Sequence, residues 1–280
     1  MQLSLDHLST LRPLWKELCL KFDLRFAEYS FANNFLFRER HHYVFVDSDP
    51  PYIVGQFDDG KKYTIPTLPP SQCSKQISDC LFPIPEEWLA YFEKEYTFSC
   101  SDNDSDYLFQ KEHLALLSGR QRASRRNLIH QLEEDYTLTS AIINQNEAQD
   151  VLTILEEWQL QSHKNKAETD YFPALDALNH REVLELFGCI VYANGRPAGY
   201  VLGELLTPKI ALLHTAKALR QYKGMMPYLF RDFAQKLPGS VLWINLEQDL
   251  GLPSLRQAKN AYQPDQLAKK WKVSAIRPTP

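Results

Sequence analysis

The spacing of apolar residues changes period several times along the chain, and those changes mark the elements. Leu8, Leu11, Leu14, Trp15 and Leu18 recur at helical spacing, which predicts an amphipathic helix over residues 8–20. The aromatic-rich run 29–38 predicts a short packed helix or turn. Residues 43–46, 52–54 and 63–65 read as short strands, with Asp58-Asp59-Gly60 as the turn before the third. Residues 82–85 predict a rigid loop, and Glu86 and Glu87 the first turn of a helix carrying Trp88 and Leu89. Residues 96–100 and 106–109 add two more strands, so the first half predicts a small α/β unit of its own.

From Tyr136 the pattern is more regular. Residues 136–143 alternate as a strand, and Val151, Leu152, Leu155 and Trp158 space as a helix. A second helix carries Leu175, Leu178, Val183 and Leu186. Two β-type runs then flank Asn194-Gly195, a strong hairpin signal because a type I′ turn needs positive φ at both positions. A strand over 210–214 leads to Gln221-Tyr222-Lys223-Gly224 and a helix carrying Met226, Leu229, Phe233 and Leu237. The last strand, 241–245, passes through Glu247, Asp249 and Gly251 into a basic helix that ends near Tyr262. The order strand, helix, helix, hairpin, strand, helix, strand, helix resembles the GNAT acyltransferase fold. The expectation is an α/β (α+β) chain of two tandem GNAT-like domains, 1–130 and 131–280. Each would be a mixed, mostly antiparallel sheet flanked by helices, with the active site in the second.

Composition narrows the class. Hydrophobic content of 44% with 24% charged residues is ordinary for a soluble globular protein. A net charge of −4 argues against a generally basic nucleic-acid binder but leaves room for a local basic patch. Five scattered cysteines without a CxxC pair predict reduced thiols and no metal site. No stretch approaches the roughly 18 apolar residues that span a bilayer. The N-terminus carries no basic leader and apolar run, so a cytoplasmic location is expected.

Candidate chemistry concentrates after residue 188. A Gly-led helix start at Gly224 offers backbone donors and a positive dipole end to an anionic donor, with Tyr222 and Lys223 beside it. Asn245, Glu247 and Asp249 leave the end of a central strand, a usual place for ligands in an α/β sheet. Glu247 and Asp249 are two apart and in an extended segment would share a face, suited to hold an ammonium or act as base; Asp249 could equally cap the next turn. Arg256 and Lys259 share a helix face and suit an anionic donor or a solvated stripe. His214 ends a strand and could move a proton near neutral pH, or sit as a satisfied core histidine. Lys217 and Glu204 could form an ion pair shaping a pocket. Tyr262 could act as a general acid or pack with Leu255 and Ala258. Arg120, Arg122, Arg125 and Arg126, four arginines within seven residues, suit phosphate or RNA contact as well as a solvated helix face.

Several blocks resemble the C-terminal catalytic domain of phosphatidylglycerol lysyltransferases. They are Asp106-Tyr107 with Leu114-Ala115, Leu117-Ser118-Gly119 and Arg126-Asn127; Gly203-Glu204, His214 to Ala218 and Tyr222-Lys223-Gly224; and Asn245 to Gly251 with Leu255-Arg256, Ala258-Lys259 and Tyr262 to Pro264. Ala216 and Leu246 stand where that family has Glu and Arg. The resemblance implies transfer of an aminoacyl or acyl group to a hydroxyl or amine acceptor, lipid or small molecule. It implies no tightly bound cofactor, with aminoacyl-tRNA or acyl-CoA as co-substrate and tRNA as a partner. A non-catalytic protein binding RNA, nucleotide or a protein through the same cleft is the alternative.

Overall fold

A computed structural model describes residues 1–92 and 95–276. The chain runs through α1 (Leu8–Phe22), α2 (Phe31–Leu36), β1 (Val44–Val46), β2 (Tyr52–Gln56), β3 (Lys62–Ile65), β4 (Cys80–Ile84), β5 (Tyr96–Cys100) and β6 (Asp106–Gln110). It continues through α3 (Lys111–Leu116), α4 (Ala123–Asp135), β7 (Leu138–Ile142), α5 (Ala148–Ser162), α6 (Tyr171–Asn179), β8 (Phe187–Ala193), β9 (Arg196–Thr207) and β10 (Ile210–Ala218). The last elements are α7 (Met225–Lys236), β11 (Trp243–Asn245), α8 (Pro253–Asn260), β12 (Gln266–Ala268) and β13 (Trp271–Ala275). The second half reproduces the expected element order.

The elements divide into two compact units. One comprises residues 1–107, 247–255 and 267–280, the other 108–246 and 256–266. The sequence boundary at 130/131 falls inside α4, whereas the units part after Tyr107. The physical reason is pairing: Leu108, Phe109 and Gln110 of β6 lie opposite Asn245, Ile244 and Trp243 of β11 and so belong with the later strands.

The first unit is built on a six-stranded sheet of order β1-β2-β3-β4-β13-β5. Leu11, Trp15, Leu18 and Cys19 form the buried face of α1, the helical spacing read from the sequence. At the centre of this unit lies a buried ion cluster. Lys270 Nζ sits 2.7 Å from Glu28 Oε1 and 2.6 Å from Asp106 Oδ1, and Asp106 Oδ2 accepts the Ala27 N–H. Burial disfavours the Lys270 ammonium, but Asp106 and Glu28 outweigh it and raise its pKa. Burial raises Glu28 to about 7; Lys270 opposes the rise and Asp106 adds to it.

The second unit carries a seven-stranded sheet of order β12-β6-β11-β10-β9-β8-β7. Asn194 and Gly195, at φ 50° and 75°, make the predicted turn between β8 and β9. Helix α7 covers one face, where Phe233 stacks on Phe187 and a side chain at Gly199 would meet Leu229 and Met225. Helices α5 and α6 pack on the sheet at β9 and β10. Two features of β10 position the site. It pairs in parallel with β11 only over Ile210–Leu212, opposite Trp243–Asn245, and then runs on to Ala218. Its antiparallel pairing with β9 shifts register between Leu213 and Thr215, a bulge at His214.

Two predictions follow from packing alone. The folded state holds the Glu28 proton more tightly than the unfolded chain, so this group makes stability fall as pH rises from about 4.5 to about 7. Glu28→Gln removes that slope, read as urea midpoints at pH 5 and pH 8; an unchanged slope would sink the assignment. Gly224 has φ +92°, and a Cβ there would lie 2.2 Å from the Leu128 carbonyl oxygen. Gly224→Ala therefore destabilises the fold by about 2 kcal/mol or more in chemical denaturation.

Candidate functional site

The bulge in β10 brings together what the sequence scattered. His214, the residue at the bulge, places Nε2 3.1 Å from Glu204 Oε1 on β9, and its side chain is 0% exposed against 12% for Glu204. Three residues on, Lys217 Nζ lies 2.5 Å from Asp170 Oδ2 and 4.1 Å above the Trp158 ring. The ion pair expected between Lys217 and Glu204 is thus replaced by two others, Glu204 with His214 and Lys217 with Asp170. Register explains the exchange: Glu204 lies opposite Leu212, while Lys217 lies opposite Tyr200, farther along β9 toward the α5 and α6 side chains. In both pairs the nitrogen is buried and the carboxylate is the more exposed member, with Asp170 at 41%.

Asn245, the last residue of β11, is fully buried opposite Leu212. Lys259 donates from Nζ to the Leu246 carbonyl at 2.7 Å, which ties α8 to the end of β11. Arg256 is half-buried on the same helix. Helix α8 itself buries no residue, so the expected apolar face does not form: Leu255 is 37% exposed and Ala258 is exposed. Tyr262 packs beyond the helix, 5.0 Å from Phe230 with the Arg125 guanidinium 5.4 Å from its ring. Burial raises the Tyr262 phenol well above its ordinary value, so it stays protonated and reads as core.

Glu247 and Asp249 do not share a face. Glu247 has φ +59°, which breaks the extended run on which that expectation rested. Its carboxylate accepts Asn33 Nδ2 at 3.0 Å, while fully buried Asp249 accepts Tyr107 OH at 2.7 Å and the Gly251 N–H at 2.8 Å. Asp249 therefore caps the turn, and the loop holds two left-handed non-glycine residues, Glu247 at φ +59° and Leu250 at φ +55°.

At the start of α7, Gly224 is demanded by its φ and by the approach of Leu128. The turn is poor in donors: the Met225 N–H goes to the Tyr222 carbonyl, and Pro227 has none. Gln221 donates to Glu157 and accepts from Gln161, Tyr222 stands edge-on to Tyr136 at 5.2 Å, and Lys223 is exposed. The arginine cluster is largely engaged in structure. Arg122 donates to the Tyr262 and Gln263 carbonyls at 3.0 and 2.9 Å, and Arg126 to the Leu117 and Gly119 carbonyls at the end of α3. Arg125 stacks on Tyr262 and Arg120 is exposed.

Sequence reasoning missed Asp170, Trp158, Tyr200 and Thr215, which surround Lys217 and His214 on β9, β10 and the α5–α6 side. Their only signal was polar or aromatic character inside otherwise apolar segments. It also missed Asn33, which lies in the aromatic-rich run 29–38. The thiols offer no nucleophile: burial pushes Cys73 up to about 12 and Cys80 up to about 11. Among the described residues no group of three or more His, Cys, Asp or Glu is placed to hold a metal, and no helix is long and apolar enough to cross a membrane.

Comparison with known proteins agrees with this geometry. No curated protein sequence matches the chain. Among solved structures, a conserved protein of unknown function from Bacteroides thetaiotaomicron is 21% identical, with TM-score 0.82 over 98% of each chain. The C-terminal domain of a putative lysylphosphatidylglycerol synthetase from Agrobacterium fabrum is 12% identical, with TM-score 0.62 over 94% of this chain and 91% of that one. The L-PGS structure from Bacillus licheniformis is also 12% identical, with TM-score 0.57 over 85% of each chain. At these identities the likeness establishes the fold. The family model described as "phosphatidylglycerol lysyltransferase, C-terminal" matches residues 72–274, most of the sequence. The chain belongs to the phosphatidylglycerol lysyltransferase C-terminal family.

Proposed function

We propose that this protein transfers an aminoacyl group from an ester donor, aminoacyl-tRNA, to a hydroxyl or amine acceptor, with Glu204 as the proton acceptor. The Glu204–His214 pair at the β10 bulge carries the reading. Its histidine ring is sealed, so the carboxylate is the member an acceptor can reach. His214 Nε2, 3.1 Å away, orients the carboxylate from behind. The acceptor oxygen or nitrogen attacks the ester carbonyl carbon and gives its proton to Glu204. The new bond forms as the ester C–O bond to the donor sugar breaks, and the sugar oxygen takes up a proton as it leaves.

The choice of an ester over a CoA thioester rests on the start of α7. A pyrophosphate needs several unpaired backbone donors at a helix N-terminus. Met225 and Pro227 supply none, and Glu157, held by Gln221, adds negative charge nearby. The relatives named as lysylphosphatidylglycerol synthetases support a lipid hydroxyl as one acceptor.

The test is transfer from labelled total aminoacyl-tRNA or from labelled acetyl-CoA to phosphatidylglycerol vesicles or simple amines. Glu204→Gln is expected to lower the aminoacyl transfer rate about 10²–10⁴-fold with an unchanged melting temperature. Transfer from acetyl-CoA at a comparable rate would overturn the ester donor. A protein that is stabilised by tRNA but transfers nothing would instead be the non-catalytic binder. Tyr262→Phe, which keeps the ring in its contact with Phe230, is expected to leave transfer within about threefold of wild type; a loss comparable to Glu204→Gln would restore Tyr262 as the general acid.

A further inference from the structure

Among the described residues four strands lie at sheet edges, β1 and β5 in one sheet and β12 and β7 in the other. Three of them are guarded. Residues 1–3 cover β1, where Gln2 bridges Val44, Phe45 donates to the Met1 carbonyl and Leu3 to the Tyr43 carbonyl. Strand β12 has only three residues. Strand β5 runs between Glu95 and the acidic turn Asp102–Asp104. Strand β7 has no such protection. From Tyr136 to Ile143 the chain carries no charge, no proline and no glycine, and Ile142 is 54% exposed. Sheets ordinarily blunt their edges with such residues, because an open edge offers backbone donors and acceptors to another chain.

Pairing identifies the groups that face outward. β7 lies antiparallel to β8, from Leu138 opposite Ala193 to Ile142 opposite Cys189. At the two ends Asn194 N–H donates to the Thr137 carbonyl at 2.9 Å, and Ile143 N–H to the Gly188 carbonyl at 3.0 Å. Bonding alternates along an antiparallel ladder, so Thr137, Thr139, Ala141 and Ile143 bond to β8. The N–H and C=O groups of Leu138, Ser140 and Ile142 therefore point away from the sheet. Their side chains share the face of α7, where Ser140 Oγ donates to Asp232 Oδ2 at 2.6 Å and accepts from Lys236 Nζ at 3.0 Å.

This edge is its own complement. An antiparallel copy set about Ser140 places Leu138 opposite Ile142 and Ile142 opposite Leu138, so each outward donor meets an outward acceptor. The exposed Ile142 side chain gains an apolar neighbour, and Thr139 meets Ala141 on the other face. The next pairs, Thr137 with Ile143 and Tyr136 with Asn144, hold no charge. Each copy brings one Asp232 carboxylate and one Lys236 ammonium to the centre, where they cancel. The same operation on β5, about Phe98, would bring Glu95 beside the acidic turn of the copy, like charge against like.

We propose that two copies of this chain associate through β7, antiparallel about Ser140, to form one sheet that runs through both. The contact is isologous, so it closes at two copies and does not propagate. It is independent of the transfer reading, whose residues lie on β9 and β10. One short strand and two apolar side chains from each copy make a small interface, which corresponds to a dissociation constant of about 10 μM.

The test is sedimentation of the full chain between about 1 and about 300 μM, with amide hydrogen exchange at both concentrations. Wild type is expected to pass from monomer to dimer. The Leu138, Ser140 and Ile142 amides are expected to exchange about 5- to 10-fold more slowly in the concentrated sample, while Thr139 and Ala141, already bonded to β8, stay the same. Ile142→Lys puts a charge on the edge, and Ile142→Pro deletes one outward N–H and no bond to β8. Each is expected to raise the dissociation constant about 30-fold or more at an unchanged melting temperature. Should the proline variant fold poorly, the lysine variant carries the test. Phe98→Lys, on the other uncharged edge strand, is expected to dimerise as wild type does. The proposal is overturned if wild type stays monomeric throughout, if both Ile142 variants dimerise as wild type does, or if Phe98→Lys alone abolishes the dimer.

Discussion

The site depends on a parting of strands. β10 and β11 share a parallel ladder for three residues each, and then β11 ends at Asn245 while β10 continues to Ala218. Past that point β10 is bonded to β9 alone, and the bulge at His214 adds local twist. At the bulge, His214 Nε2 lies 3.1 Å from Glu204 Oε1. Beyond the parting β10 carries His214 and Lys217, each paired with a carboxylate.

Exposure separates chemistry from architecture among the ion pairs. In the first unit Lys270, Glu28 and Asp106 are all sealed, at 0%, 6% and 0% exposure. Such a cluster can lock backbone segments together, because removing one charge strands the others, but no substrate can reach it. The pairs on β10 are built differently. Their nitrogens are as deeply buried, yet Glu204 and Asp170 keep part of each carboxylate accessible. The same residue types are thus fully sealed in the first unit and only partly so on the β9–β10 side, where Asp170 is 41% exposed and Glu204 12%.

How much of this was legible in the sequence depended on the range of the interaction. The Asn194-Gly195 turn, the helix after Gly224 and the strand–helix order were readable because turn geometry and periodicity are local. Aspartate 249 was readable as a possible cap for the same reason. The partner of Lys217 was not, since Asp170 lies 47 residues away and only the register of β9 against β10 and the packing of α5 and α6 bring it in. Glu247 was misread because nothing in its neighbours announces a left-handed residue in a strand exit. The structural use of the arginine cluster was not legible from its charge. Arg122 and Arg126 are placed to satisfy carbonyls of nearby turns, a need that composition cannot display.

The start of α7 shows how a glycine can be required for steric reasons alone. Gly224 sits where a phosphate-binding helix would want a glycine, but its necessity here is steric: a Cβ would strike the Leu128 carbonyl, and φ +92° is costly for any other residue. Helix α4 thus makes the glycine obligatory whether or not an anion binds. The residues after it decide the matter, and they point away from phosphate. Met226 stands where a small third residue would let an anion close, Pro227 removes a donor, and the Gln221 side chain is tied to a carboxylate. A donor recognised through its aminoacyl end needs none of those backbone groups, which is the ground on which an ester donor is proposed.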